Sequence, residues 1–209
     1  MRILIAGASG RLGSRLVKEA LAQGHRVTAL SRNPDALGLR HPDLTLEAAD
    51  VRDAAALAAL VPGHDAVLSA LGHRRSGETA DVLEVGIRHL TAGMRQGGVR
   101  RLLAVASAGI LQLDAQRLRC ERPGYPEAFR AGAERHLRVW QHLRESDLEW
   151  TLVCPPELVE GDRLKPLKVA ADWLPEGPLH VSMEALARWM ITALDDPTWN
   201  ARRVGVCDG

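Results

Sequence analysis

No stretch of this chain is apolar enough to suggest a membrane span. The longest apolar run, Ala54–Val61, is mostly alanine, far short of the roughly 20 residues that a bilayer requires. Cysteine is scarce: Cys120, Cys154 and Cys207 are odd in number and far apart. That spacing suits neither a metal knuckle nor a disulfide framework, so no metal site is expected, and a reducing cytoplasm is the simple expectation. Net charge is also small. With 27 basic and 26 acidic side chains the formal charge is +1, which gives no reason to expect nucleic acid or a basic partner. The first strand-like run begins at Arg2–Ile3, and the expectation is that no leader peptide precedes it.

What is present is an ordinary globular composition, 46% apolar and 25% charged over 209 residues, within the range of one α/β domain. Apolar runs alternate with amphipathic stretches, the pattern of a parallel sheet covered by helices. Strands are expected at Ile3–Ala6, Arg26–Leu30, Leu44–Ala48, Ala66–Ala70, Leu102–Ala106, Trp150–Cys154 and Arg203–Cys207. Several of these runs are continuous rather than alternating, as strands buried on both faces should be. Helices are expected at Leu12–Ala22, Ala54–Leu60, Val82–Gln96, Glu127–Glu145 and Met183–Leu194, with Asp53 and Ser182 placed as N-caps. The fold class that follows is α/β, a doubly wound parallel sheet with helices on both faces. Residues 155–180 carry Pro155, Pro156, Pro166, Pro175 and Pro178 and obey no single period. They are expected to be irregular chain over the end of the sheet that shapes a substrate pocket. Arg100-Arg101 and Arg202-Arg203 stand at strand entries and read as solvated turns.

Residues 4–13, LIAGASGRLG, place Gly7, Gly10 and Gly13 between the first strand and the first helix. Gly7 permits the sharp turn, Gly10 lets the backbone approach a pyrophosphate, and Gly13 lets helix and strand pack closely. The helix N-terminus offers free N–H groups and a positive dipole end to that phosphate. At the end of the second strand stands Ser31-Arg32-Asn33, with no carboxylate before Asp35, which is placed to cap the next turn. NAD sites carry an acid there for the ribose hydroxyl, whereas the planar fork of Arg32 suits a 2′-phosphate, so NADP is the expected cofactor. Asp50-Val51, after the third strand, either flank the adenine or include a helix cap at Asp50. After the fourth strand, Gly72 allows close approach and Arg74 reaches a phosphate, unless His73-Arg74-Arg75 is a solvated turn.

These pieces resemble the atypical short-chain dehydrogenases. The nearer resemblance is to the NADPH-dependent flavin reductases, also called biliverdin-IXβ reductases. It is carried nearly end to end by GASGRLG, VTALSRNP, AADVRD, DAVLSALGHR, VASAGI, HLRVWQHLRESDLEW and VCPPEL. The resemblance implies a single NAD(P)-binding Rossmann domain over residues 1–209. It implies that Gly7, Ser9, Gly10, Arg11, Leu12 and Gly13 line the diphosphate, and that Arg32 holds the 2′-phosphate. Asp50 and Val51 would stand at the adenine, and Leu71, Gly72 and Arg74 would pass the ribose and phosphates. It further implies that Ser107 and His136 stand beside the nicotinamide and that Pro155-Pro156 form a backbone wall over that ring.

Two departures bear on the chemistry. Glu157 stands where the resemblance has histidine, and the Tyr-x-x-x-Lys pair of the wider group is missing, since the one tyrosine is Tyr125. Hydride transfer is supplied by the nicotinamide, and a planar acceptor such as a flavin or quinone needs only a stacking surface and a proton source. Ser107 is the expected contact to the carboxamide or substrate. Glu157 either orients substrate or is an exposed loop acid. His136 either faces the pocket or is a solvated helical residue. Tyr125, in a Pro-Gly-Tyr-Pro turn, reads as a packing lid, Trp173 as the tryptophan able to face a planar substrate, and Cys154 as a small buried hydrophobe. The expected function is NADPH-dependent reduction of a planar acceptor; the alternative is a non-catalytic NADP(H)-sensing regulatory protein. The sequence leaves oligomeric state open.

Overall fold

The structure, a computed structural model, describes residues 1–72 and 82–209. The chain enters through β1 (Arg2–Ala6), α1 (Arg11–Ala22), β2 (Arg26–Ser31) and β3 (Leu44–Ala48). It continues through α2 (Ala54–Leu60), β4 (Ala66–Ser69), α3 (Val82–Gly97), β5 (Arg101–Val105), α4 (Glu127–Arg144) and β6 (Glu149–Cys154). It closes with β7 (Glu157–Val159), β8 (Leu167–Ala171), β9 (His180–Ser182), α5 (Met183–Thr192) and β10 (Arg202–Asp208). Among the described residues, eight strands form a sheet in the order β3-β2-β1-β4-β5-β6-β10-β8. Every neighbouring pair is parallel except β8, which runs antiparallel to β10 along the edge. This is the doubly wound α/β architecture expected, of Rossmann type.

The alternation along β1 explains the two layers. Ile3 and Ile5 pack with Leu16 and Val17 of α1 and with Leu186 and Met190 of α5. Leu4 and Ala6 pack with Leu57 of α2, Ile87 and Leu90 of α3, and Leu143 of α4. Ile3, Leu4, Ile5, Leu57 and Leu90 are all fully buried, and each such side chain contributes about 2 kcal/mol through its burial. Successive residues of one strand serve opposite faces, so a continuous apolar run is what a sheet covered on both sides needs. The two helix caps form as expected. Asp53 accepts the Ala56 N–H at 3.0 Å, and Ser182 accepts the Ala185 N–H at 3.3 Å.

Two expectations are corrected. Residues 155–180 are not irregular throughout. β7 and β9 form a short parallel ribbon, and β8 pairs with β10 over Leu167–Ala171. Two of these strands are three residues long, and β8 follows directly on Pro166, so none offered a period to read. The arginine pairs are only half solvated: Arg100 and Arg202 are exposed, whereas Arg101 and Arg203 are buried. Arg101 and Arg203 are 7% and 5% exposed. Arg101 donates to the carbonyls of Leu194, Ala193 and Glu149 and to the Thr151 hydroxyl at 2.8–3.0 Å, and burial lowers its guanidinium pKa to about 10. Arg203 stacks 3.9 Å over the Trp140 ring and bonds Asp172 and the Ile110 carbonyl. A planar fork that satisfies several acceptors at once is one way an arginine is buried without large penalty.

Candidate functional site

The chain places β1 to β3 on one side and β4 onward on the other, so the crevice above the ends of β1 and β4 stays open. A cleft of about 310 Å³ lies there. Gly7, Ser9 and Gly10 line it from the first turn, Ser31, Arg32 and Asn33 from the end of β2, Asp50 and Val51 from beyond β3, and Leu71 and Gly72 from beyond β4. The structure thus brings together most of the residues that the sequence assigned to a dinucleotide.

The turn is built as its glycines require. Gly7 has φ +77°, and a Cβ there would stand 2.9 Å from the Ala70 carbonyl oxygen. Its N–H donates to the Leu30 carbonyl at 3.0 Å, which fixes the turn to β2. A Cβ at Gly13 would run into the Gly7 carbonyl, so helix and strand approach closely only through glycine. Gly10 is the N-cap of α1 and provides no side-chain cap, and the first turn carries no acid. The leading N–H groups of the helix have no intrahelical acceptor and, together with the dipole, present an anion site. Leu12 is 6% exposed and packs in the core, so its part at a diphosphate would be played by the main-chain amide. The Arg11 side chain extends to Glu160, 3.5 Å away.

At the adenosine end, Asp50 does not cap α2. It accepts the Arg52 N–H at 2.9 Å and the Arg52 guanidinium at 2.5–3.1 Å, and these bonds pull its carboxyl down to about 2. Arg32 lies close enough to Asp50 to add to that lowering. Ser31, not singled out by sequence reasoning, is 8% exposed on the cleft wall, and its hydroxyl is buried with no hydrogen-bond partner. A buried polar group left unbonded costs about 1–3 kcal/mol, a cost a bound ligand relieves. The signal was its place beside Arg32 at a strand end. The uncapped helix and the orphaned Ser31 hydroxyl both fit a phosphate-bearing dinucleotide. His73 and Arg74 lie outside the described residues.

A second group gathers at the end of β5. Ser107 caps a single helical turn by accepting the Gly109 N–H at 3.2 Å. The next amide, Ala108 N–H, donates to the Pro155 carbonyl at 3.0 Å. Ser107 is therefore held against the start of the Pro155-Pro156 segment, with Pro155 buried and Pro156 half-buried. Tyr125 is also there: a Cβ at Gly109 would stand 2.6 Å from the Tyr125 Oη and 3.4 Å from the Ser107 Oγ; sequence reasoning missed this proximity. His136 is half-buried on α4. It sits one turn beyond Ala133, whose methyl faces Gly109. Glu157 is exposed at the start of β7. Trp173 is 46% exposed, and Cys154 is fully buried, which pushes its thiol well above the usual range. No helix of the described residues is long and apolar enough to cross a membrane.

The comparisons with known proteins agree with this geometry. A family described as NAD(P)H-binding matches residues 7–197. The uncharacterized protein YwnB of Bacillus subtilis is 32% identical over 158 residues, 74% of this chain and 71% of its own. The chain spans half or less of several other curated relatives, among them an Escherichia coli undecaprenol-linked sugar 4-epimerase at 50%. A solved structure from Burkholderia pseudomallei, provisionally named an exported protein, is 30% identical with a TM-score of 0.87, covering 99% of both chains. Another, provisionally named an NADH-flavin reductase of Streptococcus pneumoniae, has a TM-score of 0.85 and covers both chains fully. At 23% identity it shows a shared fold.

Proposed function

The chain belongs to the NAD(P)H-binding family, and from that premise we propose that it is an NADPH-dependent reductase of a planar acceptor such as a quinone or flavin. In this reading residues 1–209 act as one cofactor-binding unit in the cytoplasm, and resemble the biliverdin-IXβ type of flavin reductase. The observation that carries it is the end of β2. Ser31, Arg32 and Asn33 line the cleft there without a carboxylate, and the acid opposite, Asp50, is already bonded by Arg52. A ribose hydroxyl finds no ready acceptor at that strand end, whereas a 2′-phosphate finds a guanidinium and an unbonded hydroxyl.

When bound, the reduced dinucleotide supplies a hydride. Gly7, Gly10 and the first amides of α1 hold its diphosphate. Arg32 and Ser31 hold the 2′-phosphate, and Asp50, Val51 and Leu71 border the adenosine half. Ser107, braced against Pro155 by the Ala108 amide, stands where the reacting ring and acceptor meet.

Calorimetry with NADPH and NADH tests cofactor choice, and NADPH oxidation with flavin mononucleotide and a soluble quinone tests the reaction. Protein that binds NADPH yet turns over neither acceptor removes the reductase reading and leaves a cofactor sensor, the reading that the missing Tyr-x-x-x-Lys pair favours.

A further inference from the structure

The start of α3 borders the cleft. Val82, its first residue, lines the wall together with Val51 and Leu71. Gly86 and His89 follow Val82 at i+4 and i+7, positions that share one face of a helix. A Cβ at Gly86 would stand 2.7 Å from the Leu71 Cδ1 and 2.9 Å from the Val51 Cγ2. Both side chains therefore rest directly on the helix backbone. One turn further along, the His89 Nδ1 lies 3.1 Å from the Val51 carbonyl oxygen. A carbonyl only accepts, so Nδ1 carries the proton and donates it.

Val51 is thus held at two points, its side chain on Gly86 and its carbonyl by His89. The helix that holds it is itself fixed, because Leu83, Ile87 and Leu90 are buried in the core. The turn after β3 has bonds of its own. The Asp50 carboxylate accepts the Arg52 N–H at 2.9 Å, and the Asp50 carbonyl accepts the Asp53 N–H at 2.9 Å. Those bonds shape the turn. The contacts with α3 set how far Val51 stands back from whatever fills the cleft.

We propose that Gly86 and His89 are positioning residues for the adenosine half of the dinucleotide, setting the width of its pocket from behind the lining. The proposal rests on the reading of the cleft as a dinucleotide site. Without the His89 donor the Val51 carbonyl loses its tie to α3, and the turn is free to shift. With a methyl group at position 86, Val51 and Leu71 are pushed toward the cleft. Either change removes a preformed apolar border for the purine, which binding must then order at a cost in affinity.

Calorimetry with NADPH and with adenosine 2′,5′-bisphosphate, which carries the adenosine half alone, tests this. His89→Leu keeps the bulk and removes the donor. It should weaken both ligands by one common factor, about threefold to tenfold. His89→Asn, whose amide places an N–H near the Nδ1 position, should restore affinity to within about twofold of wild type. Gly86→Ala should weaken both ligands at least about fivefold, although alanine is the better helix former. Thermal melts run alongside. A role in stability alone would lower Tm and leave both dissociation constants unchanged well below it; that result for His89→Leu or Gly86→Ala overturns the proposal. Should His89→Leu not fold, Gly86→Ala carries the same test. Equal weakening by His89→Leu and His89→Asn overturns the part given to the hydrogen bond. A loss for NADPH that the bisphosphate does not share overturns the assignment to the adenosine half. Wild-type protein that binds neither ligand overturns the dinucleotide reading itself, a separate result.

Discussion

Glu157 and His180 are opposite partners in the β7–β9 ribbon. The Glu157 N–H donates to the Leu179 carbonyl at 3.2 Å, and the His180 Nε2 lies 3.5 Å from Asp208, whose side chain is nearly fully buried. An imidazole therefore stands across the ribbon from Glu157, beside a buried carboxylate. Asp208 also takes an ion pair from Lys165 at 2.9 Å and the Ser182 N–H at 2.9 Å, so the ribbon is fastened to β10. Among the described residues, the exposed Glu157 side chain makes no hydrogen bond or ion pair in this arrangement. Glu157→Gln should leave thermal stability within about 0.5 kcal/mol, as exposed substitutions do. It should raise KM for a cationic acceptor and lower it for an anionic one. Unchanged KM for both would remove Glu157 from the acceptor site.

Arg32 tests cofactor choice. If the guanidinium holds a 2′-phosphate, Arg32→Ala removes charge-assisted hydrogen bonds, each worth about 1.5–3 kcal/mol. NADPH affinity should then fall at least about tenfold while NADH affinity stays within about twofold. Calorimetry reads both directly. Equal losses for the two dinucleotides would place Arg32 in the protein's own electrostatics beside Asp50 rather than at the phosphate.

Much of the fold was legible because β1, β2, β4, β5 and β6 are apolar on both faces and end at turn residues. The glycine turn was legible for a related reason: Gly7 and Gly13 meet backbone atoms that tolerate no side chain, and such positions repeat wherever a strand hands over to a phosphate-binding helix. Three features were hidden because tertiary contacts decide them. β8 exists only because β10 offers an edge. Arg101 is buried because the carbonyls that end α5 converge on it. The approach of Tyr125 to Ser107 joins residues 18 positions apart beside Gly109.

Arg101 gives a stability prediction. Its guanidinium donates to the carbonyls of Ala193, Leu194 and Glu149, of which Ala193 also accepts the Asp196 N–H at 3.3 Å. Arg101→Met fills similar volume and leaves those acceptors without it. Unmet buried acceptors cost about 1–3 kcal/mol each, and partial hydration reduces the sum to about 3 kcal/mol. For a chain of this length that corresponds to a fall in Tm of roughly 10 °C. Arg101→Lys should recover less than half, because one ammonium cannot reach acceptors spread around a planar fork. Scanning calorimetry decides; a Tm within about 2 °C of wild type would mean that water meets these carbonyls equally well.

The segment before β8 is fastened to α1 by ion pairs and to α5 by the Gly161 N–H bond to Glu184, and one of the ion pairs sets an acid limit. Arg163 bonds both oxygens of Glu19 at 2.7 Å, and the Glu19 side chain is 6% exposed. Gln23 adds a bond at 2.9 Å. The Arg163 bond, the largest cause, and the Gln23 bond together outweigh burial and hold the Glu19 carboxyl below its ordinary value. A carboxyl whose folded pKa is lowered stabilises the fold above its unfolded pKa, and that contribution is lost as pH falls through the folded value. Arg163 is half exposed, so solvent screens the pair and keeps its contribution small. Arg163→Ala should lower stability modestly near pH 7. The gap between variant and wild type should begin to narrow as pH drops below the ordinary glutamate value of about 4.3 and close only below the lowered folded value, where both carry a protonated Glu19. Urea unfolding across this range measures it. A gap that persists at acid pH would mean that Arg163 stabilises the strap by packing against α1 rather than by charge.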